Sequence, residues 1–158
     1  MFPMGWTTKE HVHECTEGII QEVKPPNLPA FVVATVYNHP GDRIKEGFIK
    51  ILDRLAKRKP VLLSGDLNAA SFELGSRTNT CEGEHLVEMI SKTSLSYIDN
   101  ESPTYISASS GSWNILDFSF ANKLFLDRIV DFEVGNDFGS DHLPTIIKYA
   151  TIPLEERD

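Results

Sequence analysis

The sequence has few cysteines, no long apolar run and fewer basic than acidic residues. Its cysteines, Cys15 and Cys81, are too few among 158 residues for a disulfide scaffold, and they indicate reduced thiols in an intracellular protein. No stretch approaches the roughly 18 consecutive apolar residues of a membrane-spanning helix. The first residues show neither a basic region nor a long apolar run, so we expect no membrane span and no secretory signal.

The shortage of basic residues excludes one class of nucleic-acid binder. The chain has 15 Lys and Arg against 23 Asp and Glu, a formal net charge of −8. A protein that grips a polyanion by charge alone needs Lys and Arg to release counterions. Acidity remains compatible with an enzyme that meets phosphate through a metal ion, because such a site needs carboxylates and the cation reverses the local sign of charge.

Apolar periodicity predicts alternating strands and helices. The segments Gly18–Val23 and Phe31–Tyr37 are predicted as strands, Asp42–Lys57 as an amphipathic helix, Val61–Ser64 as a short strand and Gly83–Ser91 as a second helix. Short strands are also predicted near Leu95–Ile98, Thr104–Ile106, Ile115–Phe120, Ile129–Val134 and Thr145–Tyr149. A strand–helix–strand succession of this kind indicates a layered α/β fold.

Three short acidic motifs lie at or beside the ends of predicted strands. They read GDLN at 65–68, LDF at 116–118 and GSDH at 139–142. Each has an alternative interpretation, because an Asp or Asn after a strand often caps a turn through its own backbone. Their combination is more informative, since loops at strand ends are where layered folds place catalytic groups.

Together the motifs contain the groups that metal-assisted phosphodiester hydrolysis requires. Asp66 and Asp141 are hard oxygen ligands suited to Mg²⁺. Asn68 can donate to a phosphate oxygen or orient a water molecule. His142 titrates near neutrality and can contact phosphate or transfer a proton. Asp117 can hold that imidazole in one tautomer. A cation, an activated water and donors aimed at developing charge complete the chemistry.

These motifs resemble the endonuclease/exonuclease/phosphatase family, most narrowly the apurinic-endonuclease-like domain of jockey-type non-LTR retrotransposons. The resemblance covers about residues 17 to 149 and implies an α/β fold of two stacked sheets, the DNase I-like sandwich. The motifs that carry it are VYNHPG at 36–41, LLSGDLNA at 62–69, GSRTN at 75–79, SPTY at 102–105, SGSWNILDFSF at 110–120 and GSDHLP at 139–144.

The resemblance implies a role for each motif residue. Asp66 would act on the nucleophilic water and Asn68 would bind the scissile phosphate. His142 would stabilise that phosphate, with Asp117 as its orienting partner. Asp141 would be a metal ligand, with Mg²⁺ as the cofactor and Mn²⁺ as an alternative. The implied activity is a DNA-nicking endonuclease that leaves a 3′-hydroxyl to prime reverse transcription.

Residues outside the three motifs are assigned by the same resemblance. Tyr37 stands where the family has a tyrosine that contacts phosphate, although a strand-end aromatic in the core is an equally good interpretation. Asn114 is assigned to substrate binding. Thr104 and Ser112 are placed near DNA, with turn formation as the alternative. DNA is the expected partner, and an intact retrotransposon of this type would encode a reverse-transcriptase domain C-terminal to this one. Action on genomic DNA would require a nuclear location, for which no targeting signal is visible.

The chain also departs from the family pattern at its start. Complete members begin with strands that carry an early Asn and a metal-binding Glu, and we expect both to be missing here. Residues 1–16 are unassigned and expected to be disordered, and 17–158 are expected to form a partial domain. The residues His11, His13 and Cys15 fit no standard zinc spacing. The main alternative function is therefore a catalytically inactive, truncated retrotransposon remnant, and a further one is a relative acting on RNA tails or small phosphate esters.

Overall fold

The computed structural model describes residues 4–11, 17–99, 102–137 and 139–151. Alternating strands and helices are present as predicted, together with a 3₁₀ turn at Phe72–Leu74. In chain order the elements are β1 (Thr7–His11), β2 (Gly18–Lys24), β3 (Phe31–Val36), α1 (Glu46–Ala56), β4 (Val61–Asp66), α2 (Cys81–Ser91), β5 (Leu95–Tyr97), β6 (Tyr105–Ile106), β7 (Trp113–Asn114), β8 (Asp117–Asn122), α3 (Lys123–Leu126), β9 (Ile129–Val134) and β10 (Thr145–Tyr149).

Six strands form the main sheet, in the order β1-β2-β3-β4-β8-β5. The neighbours β3 and β4 are parallel, and α1 makes the crossover between them. Every other neighbouring pair in this sheet is antiparallel. The C-terminal end of β4 therefore meets the N-terminal start of β8.

The main sheet is buried on both faces. On one face the strands pack against α1 and α2, and on the other against α3 and the two-stranded sheet of β9 and β10. Side chains alternate between these two faces along β4. Val61 and Leu63 lie in the core beneath α1 and α2, and Leu62 lies in the core beneath α3 and the second sheet. Two stacked sheets with flanking helices confirm the predicted layered α/β architecture.

Both long helices begin at different residues from those predicted. α1 starts at Glu46 rather than Asp42, and α2 starts at Cys81 rather than Gly83. The α2 start is set by Thr80, whose hydroxyl accepts a hydrogen bond from the backbone of Gly83 at 3.1 Å. None of the described helices is long and apolar enough to cross a membrane.

Two glycines allow backbones to approach closely near the ends of β4 and α2. A Cβ on Gly65 would lie 2.0 Å from the carbonyl oxygen of Val36, and one on Gly83 would lie 2.0 Å from that of Ala70. Gly65 thus lets β4 lie against the end of β3. Gly83 lets the first turn of α2 support the loop that follows β4.

The expectation that residues 1–16 are disordered is wrong for Thr7–His11. These residues form β1, which pairs antiparallel with β2 at the edge of the main sheet. Its residues are polar and, apart from His11, exposed, so the sequence has no apolar alternation there to indicate a strand. His13 and Cys15 lie outside the described residues. Nε2 of His11 lies 3.4 Å from a carboxylate oxygen of Glu22.

Candidate active site

The pairing of β4 with β8 brings two carboxylates together. Asp66 ends β4 and Asp117 begins β8, and the two residues are register partners in adjacent antiparallel strands. Asp66 follows the buried run at the start of β4, and Asp117 precedes the buried run of β8. These runs fix the position of both strands in the sheet. The GDLN and LDF motifs therefore meet at one end of the sheet.

The third motif is held beside them by backbone hydrogen bonds to β6. His142 forms an isolated bridge with Tyr105. The amide of Leu143 donates to the carbonyl of Thr104 at 2.8 Å, and the amide of Ile106 donates to the carbonyl of Asp141 at 2.7 Å. This anchoring places the histidine next to the carboxylates.

The imidazole of His142 contacts both carboxylates. Its Nδ1 lies 2.9 Å from Oδ2 of Asp117, and its Nε2 lies 3.8 Å from Oδ2 of Asp66. The ring of Tyr105 packs edge-on against the imidazole, with 5.1 Å between ring centroids. All three side chains are partly buried, at 17%, 19% and 32% exposed for Asp66, Asp117 and His142. We call these three residues the DDH cluster.

Burial and mutual charge perturb the titration of the cluster. Burial, and then the negative charge of Asp117, raise the pKa of the Asp66 carboxyl. Burial alone would lower the pKa of His142, but the hydrogen bond and charge of Asp117, with the charges of Asp66 and Asp141, raise it overall. Both shifts favour the protonated form of the group relative to the isolated side chain.

The loop after β4 is fixed by Asn68. This residue has a left-handed backbone, with φ of 45°. Its amide donates to Oδ1 of Asp66 at 3.1 Å, and its side-chain nitrogen donates to the carbonyl of Asn38 at 2.9 Å. The amide of Asn38 in turn donates to the carbonyl of Asp66 at 2.9 Å. Asn68 thus lies directly beside the cluster, and its role in binding the scissile phosphate stays a prediction.

Tyr37 lies on the other side of Asp66, along an open cavity. The cavity has a volume of about 490 Å³, and Tyr37 and Asp66 both line it. The tyrosine is 40% exposed, so the alternative of a core aromatic is wrong. Its ring packs edge-on against His39, with 5.0 Å between ring centroids.

Asp141 and Asn114, like Asn68 and Tyr37, are predicted site residues that lie outside the DDH cluster. Asp141 is exposed, and it acts on the cluster through its charge on His142. Oδ1 of Asn114 accepts hydrogen bonds from the amides of Arg77 and Ile115, at 2.9 and 3.0 Å, and its Nδ2 donates to Oγ1 of Thr78 at 3.0 Å. The roles of Asp141 in metal binding and of Asn114 in substrate binding stay predictions.

Thr104 has a structural role that the sequence did not indicate. Its side chain is fully buried, so it offers DNA no exposed surface, and its placement near DNA stays a prediction. Its hydroxyl oxygen accepts hydrogen bonds from the amides of Leu116 and Asp117, both at 3.0 Å. Thr104 thereby fixes the backbone that carries the carboxylate of Asp117. Ser112 is exposed, and its hydroxyl lies 2.8 Å from that of Ser110.

The donor atoms of the cluster fit a hard divalent cation. One ligand atom from each of Asp66, Asp117 and His142 lies within 4.8 Å of the others. Two carboxylates in register and partly buried repel each other, and a cation between them would relieve that repulsion. Because Nδ1 of His142 is already bonded to Asp117, the carboxylate oxygens are the better ligands.

The fold and this cluster define a class of layered α/β domains with paired carboxylates and an imidazole at the strand ends. Residues 31–146 match the family described as endonuclease-reverse transcriptase, and the chain belongs to this family. This confirms the resemblance inferred from the motifs.

Two relatives agree with the assignment. The chain is 29% identical over 119 residues to a probable RNA-directed DNA polymerase from transposon BS of Drosophila melanogaster, a match that covers 75% of this chain and 13% of that protein. It is also similar to the solved endonuclease domain of TRAS1, a telomere-specific non-LTR retrotransposon. That match has a TM-score of 0.78 and 19% identity, and covers 94% of this chain and 70% of the other. This likeness shows the fold and confirms the predicted DNase I-like sandwich.

Proposed function

We propose that this domain is a metal-dependent endonuclease that nicks DNA by hydrolysing a phosphodiester bond. The observation that carries the proposal is the contact of one imidazole with two carboxylates, 2.9 Å from Asp117 and 3.8 Å from Asp66. An open cavity of about 490 Å³ beside Asp66 gives a substrate access to this end of the sheet. Membership of a family described as endonuclease-reverse transcriptase supports the same activity.

The residues of the site divide the work of hydrolysis. Asp117 holds His142 at Nδ1, which leaves Nε2 as the atom that donates to the scissile phosphate. Asp66, with its pKa raised by burial, accepts a proton from the attacking water. Asn68 lies against Asp66 and binds a phosphate oxygen. Tyr37, which lines the same cavity as Asp66, contacts the bound DNA strand.

The carboxylates of Asp66, Asp117 and Asp141 are the groups that would hold Mg²⁺, with Mn²⁺ as the alternative. Bound there, the ion would neutralise charge that develops on the phosphate in the transition state. The protein's own side chains would then orient the imidazole of His142, accept the proton from water and position the DNA strand.

A supercoiled-plasmid nicking assay with Mg²⁺ tests the activity. We expect the wild type to nick, and Asp66→Ala and His142→Ala to lose at least about a hundredfold in rate. Asp127→Ala is the matched control, because it removes an exposed carboxylate that forms an ion pair with Lys123 at the end of α3, and it should nick like the wild type. Equal background in all four proteins would instead support the inactive remnant.

The product of the reaction tests the link to reverse transcription. We propose that the nick leaves a 3′-hydroxyl, that a reverse-transcriptase domain follows this domain in the intact element, and that the element acts on nuclear DNA. The named relative, an RNA-directed DNA polymerase, supports the second of these points. A nicked plasmid with a 3′-hydroxyl can be extended by a DNA polymerase without prior treatment. Extension only after phosphatase treatment would contradict the proposal.

A further inference from the structure

Basic side chains line a cavity at the end of β4 opposite the DDH cluster. Four of the chain's 15 Lys and Arg lie within residues 54–59, although the net charge of the chain is −8. Together with Leu55 they line a cavity of about 440 Å³. Val61 begins β4 directly after this basic run and Asp66 ends it, about 17 Å away along the strand. We call Arg54, Lys57, Arg58 and Lys59 the basic turn.

The end of α1 does not need these cations as a cap. Basic side chains near a helix C-terminus often stabilise its last carbonyl groups. Here the buried side chain of Asn122 does so, because its Nδ2 donates to the carbonyl oxygens of Ala56 and Lys59, both at 2.8 Å. Its Oδ1 also accepts from the amide of Val61 at 2.9 Å. Asn122 therefore fixes the backbone of the turn, and capping does not explain the basic side chains.

Two of the four cations have a carboxylate partner, and two do not. The ion pairs are Lys59–Glu22 at 2.6 Å and Lys57–Asp53 at 3.7 Å. Within the part of the chain that the structure describes, no carboxylate lies within ion-pair distance of Arg54 or Arg58. Both arginines are exposed. The turn therefore carries a local excess of positive charge on two guanidinium groups.

The two arginines lie about one helical turn apart. Arg54 is in the last turn of α1, and Arg58 follows the C-cap residue Lys57, which keeps a right-handed helical backbone. Residues four apart on a helix have Cβ atoms about 5–6 Å from each other, and like charges at this spacing destabilise the helix. An anion bound between Arg54 and Arg58 would relieve that repulsion.

The lining of the cavity indicates the chemistry of its ligand. A guanidinium group forms paired hydrogen bonds with a phosphate group. No aromatic ring is among the described residues that line the cavity, so they offer no surface on which a base would stack. A phosphodiester strand carries a charge on every unit of its backbone, whereas an acidic peptide must order flexible side chains to present its carboxylates. These features favour contact with backbone phosphates over contact with bases or with a peptide.

We propose that the basic turn binds the phosphate backbone of a nucleic-acid strand, RNA or DNA, other than the strand at the DDH cluster. Arg54 and Arg58 bind neighbouring phosphates, and Lys57 exchanges its long ion pair with Asp53 for the strand. The domain can then hold one nucleic acid while it acts on another. The inference goes beyond hydrolysis and does not depend on it, because binding at the turn needs no metal and no cleavage.

Binding measured in EDTA tests the site without cleavage. Fluorescence anisotropy of labelled oligouridylate RNA and oligothymidylate DNA reports the affinity of the full chain, which should be weak, with a Kd between about 10⁻⁶ and 10⁻⁴ M. We expect Arg54→Ala and Arg58→Ala each to weaken binding of both strands about tenfold. Each should also lower the salt slope by about 0.7, and Arg58→Lys should keep the slope.

Lys50→Ala is the matched control for these variants. Lys50 lies on α1 one turn before Arg54, and its charge is paired with Glu46 at 2.7 Å. It should bind both strands like the wild type. A loss with Lys50→Ala equal to that with Arg54→Ala would show a general effect of charge and would overturn the site. Circular dichroism of each variant checks that it is folded.

Amide NMR spectra and competition identify the place and the kind of ligand. Oligouridylate should shift the amide signals of residues 54–59 in the wild type and not in the double variant Arg54→Glu/Arg58→Glu. Shifts confined to the surroundings of Asp66 and His142 would contradict the proposal. Inorganic phosphate or polyglutamate that competes as well as the oligonucleotide, at equal charge concentration, would identify a single-anion site or an acidic protein partner instead.

The outcomes separate this inference from the proposed function. Wild-type affinity and salt slope that persist in both Arg54→Ala and Arg58→Ala overturn the site, whatever the nicking assay shows. Loss of binding in both variants, together with a wild type that never nicks, supports the site and overturns hydrolysis alone. A wild type that nicks plasmid but binds neither oligonucleotide overturns the site alone.

Discussion

Nδ1 of His142 lies 2.9 Å from Oδ2 of Asp117, although 25 residues separate them along the chain. Asp117 is fixed by the pairing of β8 with β4, and His142 is fixed by its bridge to Tyr105. A hydrogen bond between side chains anchored by two different sheets is geometrically defined. It orients the imidazole before any substrate arrives.

Replacing that carboxylate by its amide tests the orientation. Asp117→Asn keeps the shape but removes the charge that raises the pKa of His142 and Asp66. We expect nicking to fall by about a thousandfold or more, because an amide can hold the wrong tautomer. Thermal stability should change little, because the lost repulsion from Asp66 and the lost charged hydrogen bond to His142 oppose each other. A fall in nicking that matches a large fall in melting temperature would mean that the variant is misfolded and would contradict a role in orientation.

Metal binding can be measured without activity. A ligand that binds only the folded state stabilises it by RT ln(1 + [L]/Kd), about 1.4 kcal/mol at tenfold excess over Kd. We therefore expect Mg²⁺ or Mn²⁺ to raise the wild-type melting temperature by a few degrees. Asp66→Asn should lose most of that increase, whereas Asp127→Asn should keep it. An equal increase in all three proteins would place the metal elsewhere.

The buried hydroxyl of Thr104 supports Asp117 through the backbone. It accepts from two amides, those of Leu116 and Asp117, both at 3.0 Å. Thr104→Val would leave both donors without this acceptor, at a cost of about 2 kcal/mol or more in the free energy of unfolding. Thr104→Ser keeps the acceptor and should cost about 1 kcal/mol or less. Urea unfolding of the three proteins gives the comparison, and equal losses in both variants would show that the methyl group matters instead.

Local motifs made part of this site predictable. GDLN and LDF are short segments beside strong apolar strands, so their placement at strand ends follows from the sequence alone. The resemblance to a known family then supplied the pairing of Asp117 with His142. The burial of Thr104 was not predictable, because it depends on contact with residues 116 and 117 across a hairpin.

The features that the sequence could not reveal are those made by polar side chains over long separations. β1 is polar and exposed, so only its backbone pairing with β2 defines it. The backbone of Arg77 is held by Asn114, whose side chain could equally have formed a local turn, and the guanidinium of Arg77 lies over the ring of Trp113. Apolar periodicity carries no information on either.

A matched pair of glycines tests the packing beneath the site. Gly47 and Gly83 both lie in the first turn of a helix, yet a Cβ on Gly47 would meet nothing within 4 Å, and one on Gly83 would lie 2.0 Å from the carbonyl of Ala70. We expect Gly47→Ala to stabilise by about 0.5–1 kcal/mol. Gly83→Ala should destabilise by about 2 kcal/mol or more, because the loop after β4 must move. Changes in the free energy of unfolding that have the same sign for both substitutions would contradict the structure.

The ion pair between Glu22 and Lys59 should make stability depend on pH. Nζ of Lys59 lies 2.6 Å from Oε1 of Glu22, and this hydrogen bond, despite the opposing effect of burial, lowers the pKa of the carboxyl. A carboxyl with a lowered folded pKa stabilises fully above its unfolded value of about 4.3 and loses that contribution as pH falls through the folded pKa. The wild type should therefore melt above Glu22→Gln at pH 7, and the gap should close below about pH 4. Glu10→Gln, on the exposed side of β1, is the control, and a gap between wild type and Glu22→Gln that stays constant with pH would mean that packing, not charge, makes the difference.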